Sequence, residues 1–224
     1  QDQLLQSEKM SAIGQLIAGV AHDLNNPQAS VVGFSDLLGE AADVPPRLAE
    51  PLAVIREEAE RASAIVRNLL SFARRHEGER QTQSIRPILE STILLLRNQL
   101  MAHKIELTFT AEPGLPEVEV HANQIKQVFV NIINNAAQAI RGAERSGGRI
   151  DILAKCWLDG VAVSIWDNGP GMPESVAQHV FEPFYSTKSE GEGTGLGLSI
   201  CQGIVMEHGG SMTVDPGPGT GATF

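Results

Sequence analysis

The sequence predicts an α+β protein in two parts: an antiparallel helical hairpin that pairs into a dimeric four-helix bundle, and a layered α/β sandwich after it. Three observations carry this: two apolar seams at coiled-coil spacing, a polar linker after them, and a change to two-residue alternation beyond the linker. The boundary falls at the linker, with residues 1–78 forming the hairpin and residues 79–224 the sandwich.

The first seam runs Ile13, Ile17, Val20, Leu24, Pro27, Val31, Phe34, Leu38, alternating steps of four and three residues with Pro27 as its irregular member. After the breaker Asp43-Val44-Pro45-Pro46, the second runs Leu48, Leu52, Ile55, Ala59, Ala62, Val66, Leu69, Ala73 at the same spacing. Two helices joined by so short a break form an antiparallel pair. A lone pair leaves apolar flanks in water, and a second copy covers them, so a homodimer is expected.

Arg74 to Arg80 is polar and aperiodic and reads as the linker. Beyond it Ser84 is a suitable N-cap, Pro87 suits a first turn, and Leu89, Ile93, Leu96 and Leu100 mark a helix. Ile105, Leu107 and Phe109 alternate as a strand, as do Ile150 to Cys156 and Val161 to Ile165. A long helix is predicted from about Asn123 to Arg141, shorter ones at Glu174 to Val180 and Gly197 to Glu207, and short strands at Ser211 to Val214 and Ala222 to Phe224. Mixed helices and strands imply a layered sandwich. The last strand reads as unfinished, ending on an exposed Phe, so a truncated C-terminus is expected.

Composition narrows the function. A formal charge of −10 opposes a phosphate backbone and argues against nucleic acid as a partner. Cys156 and Cys201 sit in apolar patterns, which predicts reduced, buried thiols and a cytoplasmic setting for this catalytic portion. No run approaches eighteen apolar residues, so any membrane span is expected outside this stretch, and membrane attachment is left open.

Four constellations carry chemistry. In the first helix His22 lies two residues off the seam beside Asp23, with Asn26 four residues on and Pro27 removing a helical hydrogen bond. An imidazole oriented by a neighbouring carboxylate can act as a nucleophile, although an isolated surface His would look the same. In the second, Asn131 and Asn135 project from one helix face while Val128, Ile132 and Ala136 face the sheet. Asn is a poor helix former, and a carboxamide oxygen holding Mg²⁺ with nucleotide phosphates would account for it; a merely polar face is the alternative. In the third, Asp167, Gly169 and Gly171 follow a strand, where a carboxylate can accept from an exocyclic amine and glycines admit a flat base; a simple turn uses the same residues. In the fourth, Gly191 to Ser199 places Gly193, Thr194, Gly195, Leu196, Gly197 and Leu198 at the opening of a helix, a backbone-amide site for phosphates or a plain hinge.

The order of these elements, together with Phe181-Glu182-Pro183-Phe184 and the closing Gly219-Thr220-Gly221, resembles the H, N, G1, F, G2 and G3 boxes of two-component sensor histidine kinases over nearly the whole chain. The resemblance implies a dimerisation and phosphotransfer hairpin followed by a Bergerat-type ATP-binding sandwich. It implies that His22 is the phosphoacceptor, that Asp23 assists its proton transfer, and that Asn26 orients water when the protein dephosphorylates its regulator. It further implies ATP and Mg²⁺ as cofactors, with Asn135 binding Mg²⁺, Asn131 beside the phosphates and Asp167 reading adenine. A lid from about Glu174 to Gly193 is implied, with Phe181 and Phe184 packing it, Lys188 near the γ-phosphate, and Gly193, Gly195 and Gly197 approaching the phosphates. Implied partners are a second copy, the receiver domain of a response regulator and an upstream sensor domain. The chain departs from the family's pattern at His121, before the Asn-rich helix, at Gln138, where many members carry a phosphate-contacting Lys, and at Gln28.

Two rivals stand beside this reading. Gyrase-like ATPases carry a water-activating Glu where this chain has Asn131, and an amide cannot act as a general base. A silent dimerisation scaffold would not require Asp167, Asn135 and the lid glycines together.

Overall fold

The structure, a computed structural model, describes residues 29–39, 45–73, 79–143, 147–188, 195–217 and 219–224. His22, Asp23, Asn26, Pro27, Gln28, Gly193 and Thr194 lie outside the described residues, as do the seam positions Ile13, Ile17, Val20 and Leu24 and the side chains of Val66, Leu69 and Ala73. The chain divides into two compact units, Gln1–Glu77 and Gly78–Phe224.

In the first unit, helical residues 29–39 (α1) pack beside α2 (Pro46–Ala73). Ser35, Asp36 and Gly39 share a cleft with Ala49, Leu52, Ala53 and Arg56, and Asp36 pairs with Arg56 at 3.6 Å. Residues later in α1 meet residues earlier in α2, which is the antiparallel arrangement of a hairpin. Ser35 and Ala59 are buried, whereas Val31, Phe34, Leu38, Leu48 and Ile55 remain 43–66% exposed. Much of the apolar seam therefore faces away from the hairpin's own contact.

The second unit runs β1 (Gln81–Gln83), α3 (Ile85–Ala102), β2 (Ile105–Ala111), β3 (Val118–Val120), α4 (Ala122–Gly142), β4 (Gly148–Trp157), β5 (Gly160–Asp167), α5 (Glu174–Ala177) and α6 (Gly197–Glu207). Strands order as β2-β4-β5, with β2 parallel to β4 and β4 antiparallel to β5. The parallel pair requires a crossover, which α4 supplies. Ile105, Ile150, Ile152, Ala154 and Ile165 are buried on one face, while Glu106, Thr108, Arg149, Lys155 and Ser164 are exposed on the other. The α3 and α4 helices cover the apolar face, with α6 packed on α4, and Leu89, Ile133 and Ile150 are wholly enclosed. The unit is the expected two-layer sandwich.

Local chemistry sets several boundaries. Ser84 caps α3, its side chain accepting the Arg86 N–H at 3.3 Å. Gly148 opens β4 where a Cβ would meet Ile140 at 2.7 Å and Ile105 at 2.8 Å, so the strand begins pressed against helix and neighbouring strand at once.

Four expectations are corrected. Residues 211–214 form no strand: Met212 and Val214 are half-buried and Ser211 and Thr213 exposed, as in a strand, but the first ladder partner comes only at Asp215, opposite Thr223. Phe224 is not exposed. It exchanges backbone bonds of 2.9 and 3.0 Å with Ile165, and its ring meets Phe181 edge-on at 6.4 Å. The helix beginning at Glu174 ends at Ala177, with turns following to the buried Val180. Cys156 is exposed, lying next to the last residue of β4 beside the β4–β5 turn, and only Cys201 is buried. Among the described residues, no helix is long and apolar enough to cross a membrane.

Candidate functional site

The site is organised around α4. Ile132, Ile133, Ala136, Ala137 and Ile140 bury one stripe of the helix, which leaves Asn131 and Asn135 half-buried at its margin and Gln138 exposed. The Asn135 carboxamide makes no hydrogen bond with any described residue, and Asn134 Oδ1 on the same turn is buried without a partner. Asn131 Nδ2 donates to the Cys201 thiol of α6 at 3.6 Å. At the start of α4, His121 offers no side-chain cap, and its backbone N–H donates to His208 Nε2 at 3.0 Å. The departure at His121 thus leaves α4 without a side-chain cap and sets the His121 ring edge-on to His208 at 5.6 Å.

Asp167 ends β5, 3% exposed. Burial pushes its carboxyl above the ordinary range, and the Gly169 and Ala222 amides offset part of that rise. Its Oδ1 accepts the Gly169 N–H at 2.8 Å. A Cβ on Gly169 would lie 2.6 Å from that oxygen and 3.3 Å from the Ala139 methyl of α4, so this position needs glycine for space. Gly171, at φ +64°, sits against the Pro216 and Gly217 carbonyls. The closing residues fasten the same loop. Met172 N–H donates to Pro216 at 2.9 Å, Gly219 N–H to Pro170 at 2.7 Å, and Asp167 N–H to Ala222 at 3.0 Å. Asn168 braces it from beneath, accepting from the Arg149 N–H at 2.7 Å and donating to the Gly147 carbonyl at 2.9 Å.

The predicted lid follows Asp167. Phe181 packs on Phe224, as expected of a residue anchoring the segment. Phe184 does not. The residue is 63% exposed, and what it contributes is its backbone, held at φ +68° with its N–H donating to the Gly195 carbonyl at 2.9 Å. Gly195, at φ +64°, lies so close that a Cβ would overlap the Phe184 backbone. This backbone contact between Phe184 and Gly195 is taken as the neck of the predicted lid. Past it Leu196 is buried, Leu198 half-buried, and Gly197 opens α6 with free space around it. The Lys188 ammonium donates to Gln138 Oε1, which brings a lid cation to α4 one turn beyond Asn135. The carboxamide that stands where a lysine was expected therefore holds a lysine from elsewhere in the chain.

Of the predicted nucleotide residues, the structure gathers Asn131, Asn135, Lys188, Leu196 and Gly197 about α4 and α6, and sets Gly169, bonded to Asp167, against Ala139 of α4, with Gly171 on the Pro216 and Gly217 carbonyls. Sequence reading missed Cys201, Ala139 and the Gln138 seat of Lys188. Cys201 lies 70 residues from Asn131, and nothing in the local pattern of either marks the pair.

Comparison with known proteins gives this arrangement its family. Residues 12–78 match the His Kinase A (phospho-acceptor) domain family, and residues 120–224 match the histidine kinase-, DNA gyrase B- and HSP90-like ATPase family. The sensor histidine kinase ZraS of Klebsiella oxytoca is 34% identical over the whole chain, which spans 47% of that relative. Full-length ShkA in complex with AMPPNP shares the fold, with a TM-score of 0.78 at 24% identity over 93% of this chain and 44% of that one. The histidine kinase ThkA in complex with the response regulator protein TrrA matches with a TM-score of 0.66 and 26% identity over 97% of this chain and 62% of that one. A phospho-acceptor domain match followed by an ATPase-family match, with sensor histidine kinases alike over the whole chain, places the chain among the two-component sensor histidine kinases, of which it spans the catalytic core.

Proposed function

We propose that this core phosphorylates itself on His22, passes the phosphoryl group to an Asp of a response regulator receiver domain, and dephosphorylates that regulator with help from Asn26. What supports the reading is a phospho-acceptor match spanning His22 followed by an ATPase-family match in which Asn131 stands where the resemblance to gyrase-like ATPases would put a water-activating Glu. A carboxamide cannot take a proton from water, so the site favours transfer to a protein group over hydrolysis.

In that reaction a bond forms between a His22 ring nitrogen and the γ-phosphorus as the bond from phosphorus to the bridging oxygen breaks, and ADP leaves. Asp23 orients the imidazole and receives its proton. Asp167 reads the adenine amine from the end of β5, and Gly169 and Gly171 let the base approach the backbone. Lys188, together with the amides of Gly193, Thr194, Gly195, Leu196, Gly197 and Leu198, faces phosphate charge. The unpaired Asn135 carboxamide is a hard oxygen donor of the kind a divalent cation takes, and Asn135 would hold Mg²⁺. Bound there, Mg²⁺ supplies neutralisation of the triphosphate charge. The exposed Val31, Phe34, Leu38, Leu48 and Ile55 support a homodimer through the hairpin, and the likeness to a kinase bound to its regulator supports the receiver partner. An upstream sensor domain and a cytoplasmic location of this portion complete the proposal.

Incubation with γ-labelled ATP tests it. The expected product is protein-bound label that is acid-labile and alkali-stable and is lost in His22→Gln. Steady phosphate release without protein label would establish an ATPase instead. Asn26→Ala is expected to keep the label and lose regulator dephosphorylation; loss of both activities together would refute separate roles for Asp23 and Asn26.

A further inference from the structure

Cys201 has no part in the chemistry described so far, yet it is fully enclosed on α6 and makes two polar contacts with α4. Its sulfur lies 3.9 Å from the Val128 carbonyl, to which only an S–H can donate, and 3.6 Å from Asn131 Nδ2. With the thiol proton directed at Val128, the sulfur presents lone pairs to Asn131. The near atom of that carboxamide must then be its NH₂, because a carbonyl oxygen would face lone pairs with no proton between them. Burial pushes this thiol up to about 12, so it stays protonated at any working pH and the polarity of the chain is preserved. An amide is planar, with nitrogen and oxygen on opposite sides of Cγ. Committing Nδ2 to α6 turns Oδ1 away from α6, and no described residue supplies it with a partner.

We infer that Cys201 is a positioning residue that fixes the orientation of the Asn131 carboxamide so that its oxygen, not its nitrogen, is offered to the nucleotide. This rests on the assignment of Asn131 to the ATP site and sharpens it. An amide nitrogen would donate to phosphate oxygens. An oxygen is repelled by them and instead suits a cation or the hydrogens of its bound water. Asn131 is thereby assigned to the metal side of the Mg²⁺–nucleotide complex, beside Asn135, and contributes little to metal-free nucleotide.

Calorimetric titration of the whole chain with a non-hydrolysable ATP analogue, with and without Mg²⁺, tests this. Thermal unfolding of each variant is measured alongside to establish folding. Cys201→Val removes the acceptor at similar volume and is expected to lower the affinity for the Mg²⁺ complex about three- to tenfold, the worth of one hydrogen bond, while leaving metal-free affinity unchanged. Cys201→Ser keeps a donor and an acceptor and is expected to retain wild-type affinity. In an Asn131→Ala background, itself weaker for the Mg²⁺ complex, Cys201→Val should have no further effect. Should the Val variant fail to fold, Cys201→Ala carries the same expectation. Wild-type affinity in a folded Val or Ala variant, or an equal loss with and without Mg²⁺, would overturn the role of Cys201. An unchanged Asn131→Ala would instead overturn the placing of Asn131 in the site.

Discussion

Replacing Gly195 by Ala tests whether the neck of the lid governs nucleotide binding. Gly195 stands at φ +64°, where an L-residue pays about 1–2 kcal/mol. Its new Cβ would also overlap Phe184 backbone atoms, which cannot swing aside as a side chain can. Relief requires the two segments to part, which breaks the 2.9 Å bond from Phe184 N–H to the Gly195 carbonyl, worth about 1 kcal/mol. The closed neck is then disfavoured by about 2–3 kcal/mol, or about 30- to 150-fold in population, and affinity for an ATP analogue falls by up to that factor. Gly197→Ala is the paired control. Beyond its own helical turn and chain neighbours, no atom of the described residues lies within 4 Å of a Cβ there, and its helical backbone accepts Ala, so the fold tolerates the change. Any loss of affinity in Gly197→Ala then reports a phosphate approaching that backbone. Calorimetric titration measures both variants, with far-ultraviolet dichroism to monitor the core. Binding of Gly195→Ala within about twofold of wild type would refute the reasoning, because a disfavoured neck must cost affinity if the nucleotide needs it closed.

Asp167→Asn is expected to separate stability from binding. The folded carboxyl titrates above its unfolded value, so it favours the fold fully only below the unfolded pKa and loses that contribution as pH rises through the folded one. At neutral pH the buried carboxylate costs stability, so the Asn variant should unfold at a higher temperature there, with the gap closing toward about pH 4, while nucleotide affinity drops about tenfold or more for loss of a charged acceptor. Phe34→Glu combined with Leu38→Glu places two charges on the exposed hairpin face and should convert a dimer to monomers in sedimentation; an unchanged mass would place the dimer contact elsewhere. Native alkylation followed by mass spectrometry should modify Cys156, which is exposed, and spare Cys201, which is enclosed with its thiol pushed up to about 12.

Much of this molecule was legible because the relevant signals are local. The helix expected from about Asn123 to Arg141 spans Ala122 to Gly142, since helical periodicity and burial are written within one segment. The same holds for the Ser84 cap and for the alternation of Ile150, Ile152 and Ala154. Asp167 and its glycines could be marked because the strand end and the turn that follows it are contiguous in the chain. The three-residue strands β1 and β3 could not, since each exists only through the other, Gln81 opposite Val120. The pattern at 211–214 failed for the converse reason: alternation without a partner makes no ladder.

The sequence by itself determined the order of the units, the residue types along the Asn-rich helix, the Asp167 turn and the Gly-rich segment, and that position 131 carries a carboxamide and not a carboxylate, all of which follow from covalent neighbours and their periodicity. Only the tertiary structure decided which atoms those residues present. Phe184 acts through its backbone because Gly195 comes back against it, Gln138 holds Lys188 because the lid returns to α4, and Asn131 turns its oxygen outward because a thiol 70 residues away takes its nitrogen. A carboxamide, an ammonium and a peptide group each have more than one way to bond. The choice among them is made by partners distant in sequence, which packing brings within a few ångströms.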